Sequence, residues 1–161
     1  ILRSIILSIA CFLIAEVVCS MMEEDMRKVL TRRILLVAKD QVELELLRRS
    51  IKRRMKDYDI IAVTNVREAF MIARDMNISA VLSDVGMCDD SGLDLLKHIK
   101  RFRASIPVLL MASYADIEAV VEAIKLGAED VIERPVCDNI NVAVRAIRSA
   151  IANPDHMRAR V

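Results

Sequence analysis

The chain has 161 residues, of which 55% are hydrophobic and 29% charged, and its formal net charge is +1. That apolar content excludes a disordered chain, and the length fits one domain with a real core plus an appendage. A charge so near zero, with 3% aromatic residues and no Trp, argues against direct nucleic-acid binding through a global basic field or a base-stacking surface.

Residues 1–22 begin the chain unusually. Ile5 to Ala15 is almost unbroken apolar sequence, preceded by Arg3 and ended by Glu16. The uninterrupted part is shorter than the roughly 20 residues a membrane span needs, and an acidic residue in lipid is costly. Four readings follow: a membrane segment, a signal peptide, a packing or dimerising helix, or an extension upstream of a start at Met21 or Met22. The last two are preferred. Met22 to Arg33 reads as a helical lead-in or linker, so the expected organisation is 1–32 helix and linker, 33–153 domain, 154–161 tail.

From Arg33 onward strands and helices alternate. Ile34–Ala38 is a continuous apolar run, as expected of a strand buried on both faces. Val42–Met55 has helical periodicity, with Val42, Leu46, Leu47, Ile51 and Met55 assigned to the inner face. The clusters Arg48-Arg49 and Lys52-Arg53-Arg54 lie on this helix and read as a solvated face. Ile60–Val63 is the second strand, and Val66–Met76 the second helix, with Val66, Ala69, Phe70 and Ala73 inward. Ala80–Ser83 is the third strand, and Asp84 stands at its tip. Leu93–Phe102 is a helix that Ser91 can cap. Pro107–Met111 and Val131–Ile132 are the last two strands, with helices at Ile117–Leu126 and Asn141–Ala152. Gly127 falls where a left-handed C-terminal residue is wanted. Met71, Met76 and Met111 read as core filler.

Five strands alternating with five helices predict an α/β fold: a doubly wound, five-stranded parallel sheet of flavodoxin-like order 2-1-3-4-5, with an extra N-terminal helix. Ligands of such sheets bind at the carboxyl ends of strands 1 and 3. Ala38, Lys39, Asp40 and Asp84 are therefore expected together. The carboxylate of Asp84 at a strand tip suits a nucleophile or a metal ligand, or it simply begins a loop. The cysteines Cys11, Cys19, Cys88 and Cys137 lack Cys-x-x-Cys spacing, and only two His are present, so free thiols in a reducing compartment and no zinc site are expected. His98 reads as a surface or satisfied residue.

The stretch Ser83-Asp84-Val85-Gly86-Met87-Cys88-Asp89-Asp90-Ser91-Gly92 resembles the acceptor loop of response regulator receiver domains. That pattern has Asp, two residues, Met-Pro, and a Gly eight residues after the Asp; Asp84, Met87 and Gly92 match and Cys88 replaces the Pro. Ile106-Pro107-Val108-Leu109-Leu110-Met111, the segment Ala123 to Ala128 and Glu133-Arg134-Pro135 extend the resemblance over about Arg33 to Ala152. It is similar to the nitrogen-regulator type of receiver, a CheY-like fold. The resemblance implies that the Asp at Asp84 accepts a phosphoryl group from a histidine kinase. It implies further that two acidic residues ending strand 1 hold Mg²⁺, that a Thr or Ser ending strand 4 and a Lys before Pro contact the phosphoryl, and that a strand 5 aromatic responds to activation.

Mapped residue by residue, the acidic pair falls on Ala38 and Lys39, with Asp40 one place late. The hydroxyl position falls on Ala112, with Ser113 beside it; the Lys falls on Arg134 and the aromatic on Val131. Without the acidic pair, Mg²⁺ loses its protein ligands. Lys39 is expected to pair directly with Asp84, and Arg134 to add a bidentate contact. The preferred reading is an atypical, non-enzymatic receiver: a cytoplasmic, phosphorylation-independent interaction module without cofactor. Its partner, or a second copy in a homodimer, would bind a surface that includes Ile117, Val121, Ile140, Val144 and Ile147, some of which must instead face the core. The rival reading is a phosphoacceptor, phosphorylated on Asp84, with Mg²⁺ held through Asp40 or Asp89, controlling dimerisation or a further output domain. A flavin- or nucleotide-binding protein is set aside, because Ala38-Lys39-Asp40-Gln41 is no Gly-rich phosphate loop.

Overall fold

A computed structural model describes residues 2–87 and 92–153. The chain divides into two compact units, Ile1–Thr31 and Arg32–Val161. The first is one helix, α1 (Leu2–Leu30), which continues into the predicted linker as far as Leu30. From Ile9 to Met26 its side chains are exposed, Phe12 and Ile14 among them. Among the described residues no helix is long and apolar enough to cross a membrane.

The second unit alternates strands and helices in order: β1 (Arg32–Val37), α2 (Gln41–Arg54), β2 (Tyr58–Val63), α3 (Val66–Asp75), β3 (Ala80–Asp84), α4 (Gly92–Phe102), β4 (Val108–Ala112), a short 3₁₀ turn (Tyr114–Asp116), α5 (Ile117–Lys125), β5 (Asp130–Glu133) and α6 (Ile140–Ala152). The strands form one parallel sheet in the order β2-β1-β3-β4-β5, as the sequence predicts.

Strand side chains alternate between the two faces of the sheet, and each face has its own core. Leu35, Val37, Val81, Val108 and Leu110 pack under α3, α4 and α5, against Ala69, Leu96 and Ala123. Ile34, Leu36, Ala80, Leu82, Met111 and Ile132 pack under α2 and α6, against Leu47, Ile51 and Ile147. Both faces are covered, which is why the strands read as continuous apolar runs.

Helix ends follow local chemistry. Asp40 caps α2 by accepting from the Glu43 N–H at 2.8 Å, and Asn65 caps α3 by accepting from the Glu68 N–H at 2.7 Å. Gly127 has φ 92°, as predicted from its place after α5. Its N–H donates to Ile124 O and that of Ala128 to Ala123 O, the two bonds of a Schellman ending. The proposed Ser91 cap lies outside the described residues.

Two core assignments are corrected. On α2 the buried residues are Leu44, Leu47 and Ile51, while Val42 is 71% and Leu46 53% exposed. At 100° per residue, Val42 and Leu46 stand nearly opposite Leu44, so the two sets cannot share a face. Met71 is exposed rather than core filler, whereas Met111 is buried. Ile140, Val144 and Ile147 face the core, and Ile117 and Val121 face solvent.

Candidate functional site at the carboxyl ends of β1, β3 and β5

Strand parity decides which side chains meet at the tip of β3. Asp84 follows Ala80 and Leu82 by steps of two, so it projects to the α2/α6 side. Arg134 follows Ile132 by two and projects to that same side. Glu43, in the first turn of α2, overhangs it. The result is a chain of three side chains. Arg134 Nη1 donates to Asp84 Oδ2 at 2.6 Å, and Arg134 Nη2 donates to Glu43 Oε2. Asp84 is 2% exposed and keeps its second oxygen on the Gly86 N–H, at 3.1 Å. Burial works against the charge of the Arg134 guanidinium, but the Asp84 and Glu43 carboxylates outweigh it and hold the group above its ordinary pKa.

The backbone around this chain is tied to the sheet. The Val85 N–H donates to Met111 O at 3.0 Å, and the Arg134 N–H to Ala112 O at 2.9 Å; the Arg134–Pro135 peptide is cis. The Gly92 N–H reaches back to Val85 O at 3.2 Å, which joins the start of α4 to the end of β3.

The expected Lys39–Asp84 ion pair is corrected: the cation paired with Asp84 is Arg134, and Lys39 makes no ion pair among the described residues. Lys39 lies past the end of β1 and is exposed, and its Nζ stands beside the site, 4.0 Å from where a Cβ on Gly86 would lie. Asp40 faces the Glu43 N–H as a helix cap, so its described role is structural. Ala112 is buried and brings only a methyl group. Ser113 turns its hydroxyl to Asp116 Oδ2 at 2.7 Å, and its N–H donates to the same oxygen at 2.8 Å. Those two bonds, with the charges of Arg134 and Lys39, hold Asp116 below the usual aspartate range. Cys88, Asp89 and Asp90 lie outside the described residues.

Glu43 was missed in the sequence. The signal was there: it is one turn into the helix that follows β1, three residues after the capping Asp40. Cys137 stands close enough to Glu43 to feel its charge; burial, then Glu43 and Asp138, push its thiol pKa up, away from thiolate chemistry. His98 is exposed, with Nδ1 2.7 Å from Asp94 O and its ring against Phe70.

A divalent cation does not fit the side chains so arranged. The two carboxylates that meet at the tip of β3, Asp84 and Glu43, are both engaged by one guanidinium, Asp40 is turned to the cap of α2, and the Lys39 ammonium stands beside Gly86. Among the described residues no group of three or more His, Cys, Asp or Glu could hold a metal.

The sequence model of the response regulator receiver domain matches residues 34–147. The transcriptional regulatory protein ZraR of Escherichia coli K12 is 35% identical over 88 residues, covering 54% of this chain and 20% of that protein. The transcriptional regulatory protein FixJ of Bradyrhizobium diazoefficiens is 40% identical over 76 residues, covering 47% of this chain and 36% of that protein. The chain thus spans only about a fifth to a third of the curated relatives it matches. A receiver domain protein (CheY-like) from Methanospirillum hungatei superposes with a TM-score of 0.70 at 21% identity, covering 78% of this chain and 98% of that one. A receiver protein from Pseudomonas putida gives 0.67 at 24%, covering 74% and 97%. With the family match spanning most of the sheet and its helices, the chain belongs to the response regulator receiver domain family.

Proposed function

We infer that this receiver works as a phosphorylation-independent protein-interaction module whose acceptor site is locked by fixed charges. The observation that carries this reading is the Asp84–Arg134–Glu43 chain, with its 2.6 Å contact to a nearly inaccessible carboxylate. A carboxylate in a charge-assisted bond to a guanidinium, with its other oxygen on a backbone N–H, has its lone pairs engaged and is a poor nucleophile. The site also keeps Arg134 where a metal would need oxygen ligands. Its partner is another protein, which reads the outer surface of α5 and β5; localisation in the cytoplasm follows from that reading.

Glu43 favours a second reading. It brings a second carboxylate beside Asp84, so an arriving phosphoryl group could take Arg134 from Asp84 while Glu43 holds the guanidinium in place. A histidine kinase would then transfer a phosphoryl group: an Asp84 oxygen bonds to phosphorus, the phosphorus–nitrogen bond breaks and the imidazole leaves.

Fluorine NMR with beryllofluoride and Mg²⁺ separates the two. The wild type is expected to give no bound fluoride signal. The variant Lys39→Asp with Arg134→Lys, which returns one acid and frees Asp84, is expected to gain one. A wild-type signal that disappears in Asp84→Asn would overturn the locked-site reading.

A further inference from the structure

The net charge of +1 hides a polarised surface. From Tyr114 to Glu133 the chain carries six acidic residues and one basic one, whereas α2 carries five basic residues and two acidic ones. Each region also exposes an apolar stripe. On the acidic side Tyr114, Ile117, Val121 and Ile124, spaced three, four and three apart, line the outer face of the 3₁₀ turn and α5; Tyr114 is 78% and Ile117 63% exposed. Glu118 and Glu122 flank them and are exposed. Glu133 lies close enough to Tyr114 to push its phenol pKa up, which adds another acid at that end of the stripe.

On the basic side Val42, Leu46, Arg49 and Arg53, spaced four, three and four apart, form the solvent face of α2, opposite its buried residues. A groove of about 640 Å³ runs beside them, lined by Val42, Leu46, Arg49, Ala62 and Thr64 among others. It has room for an aromatic or branched side chain. Both stripes are about 15 Å long at 1.5 Å per residue.

Pairing α5 with α5 of a second copy would bring four glutamates, Glu118 and Glu122 of each, together with only two lysines, Lys125 of each. Pairing α5 with α2 of the next copy sets acids against arginines and apolar residues against apolar residues. We propose that the α5 face of one copy docks on the α2 face of the next, a head-to-tail contact that assembles this receiver into open chains or rings. Such a contact is heterologous, so each copy offers one donor face and one acceptor face. It rests on the reading that the α5 and β5 surface is the partner-binding surface, and it names the occupant.

Sedimentation velocity on the full chain tests it with two variants. The first, Ile117→Lys with Val121→Lys, removes the α5 face. The second, Leu46→Asp with Arg49→Glu, removes the α2 face. All four residues are exposed, and circular dichroism melts check that both variants fold. The wild type is expected to form species larger than a dimer as concentration rises, and fewer as salt rises. Each variant alone is expected to lose this growth, and an equimolar mixture is expected to recover a two-chain complex. Because α1 is unchanged in every sample, a difference between the samples belongs to the α2 and α5 faces.

A mixture that stays the sum of its parts would overturn the proposal. So would assembly sensitive only to the α5 variant, which would mark a symmetric dimer, or a wild type that never grows. Failure here with Asp84 still unphosphorylated would leave the locked-site reading standing and give the α5 face to another protein. A phosphoryl adduct with assembly intact would do the reverse.

Discussion

Replacing Arg134 with alanine is expected to destabilise the receiver by roughly 2–4 kcal/mol, because it strands a buried carboxylate. Asp84 is 2% exposed, and Arg134 is its charged partner among the described residues. Without the guanidinium, Asp84 keeps one N–H bond from Gly86, and Glu43 loses the same cation. The cost comes from leaving the anion unpaired, not from the pair's net worth, and a cycle with Asp84→Asn separates these. Asn carries no charge to strand, so Arg134→Ala should cost about 1–2 kcal/mol less in the Asp84→Asn background. Urea unfolding of the four proteins measures this. A cost of Arg134→Ala that is equal in both backgrounds would mean that the guanidinium contributes only its own packing.

The second large effect is expected at Gly92. A Cβ there would lie 2.2 Å from Asp84 O, 3.0 Å from Asp84 C and 3.1 Å from Val85 Cα, all of them backbone atoms. No rotamer change relieves such contacts, so α4 or the tip of β3 must move. Gly92→Ala is expected to cost about 3 kcal/mol and to lower Tm by roughly 10 °C. The same shift displaces Asp84 from Arg134, so the two perturbations overlap. The cost of Arg134→Ala should shrink in the Gly92→Ala background. By contrast Gly127→Ala meets no atom within 4 Å and is strained only through its φ of 92°, so its cost should be smaller, on the order of 1 kcal/mol. Thermal melts of the two glycine variants side by side check this ordering.

The resemblance around Asp84 and Gly92 could be read in the sequence because it rests on backbone geometry. The loop after β3 must return to Val85, and only a residue without Cβ fits where it does so. Strand order was equally readable, since continuous apolar runs separated by helical patterns leave few parallel topologies. The side chains facing Asp84 were harder. Lys39 is next to the strand end in sequence, yet it lies beyond β1 with its side chain exposed, and the ion pair with Asp84 falls to Arg134 from β5. Glu43 lies beyond the strand, and only the placement of α2 over the Asp84 side brings it in. Val42 and Leu46 misled for a related reason: apolar residues on a helix were assigned to the core, though Leu44, Leu47 and Ile51 already complete the buried stripe. Surplus apolar residues on a solvated, arginine-rich face are better read as contact residues.

The locked acceptor site is tested most directly by intact-mass analysis of the full chain after incubation with acetyl phosphate and Mg²⁺, with Asp84→Asn alongside. The Asp84–Arg134–Glu43 chain predicts an unchanged mass for both proteins. One phosphoryl adduct on the wild type that is missing from Asp84→Asn would contradict it, and would make Asp84 a working phosphoacceptor.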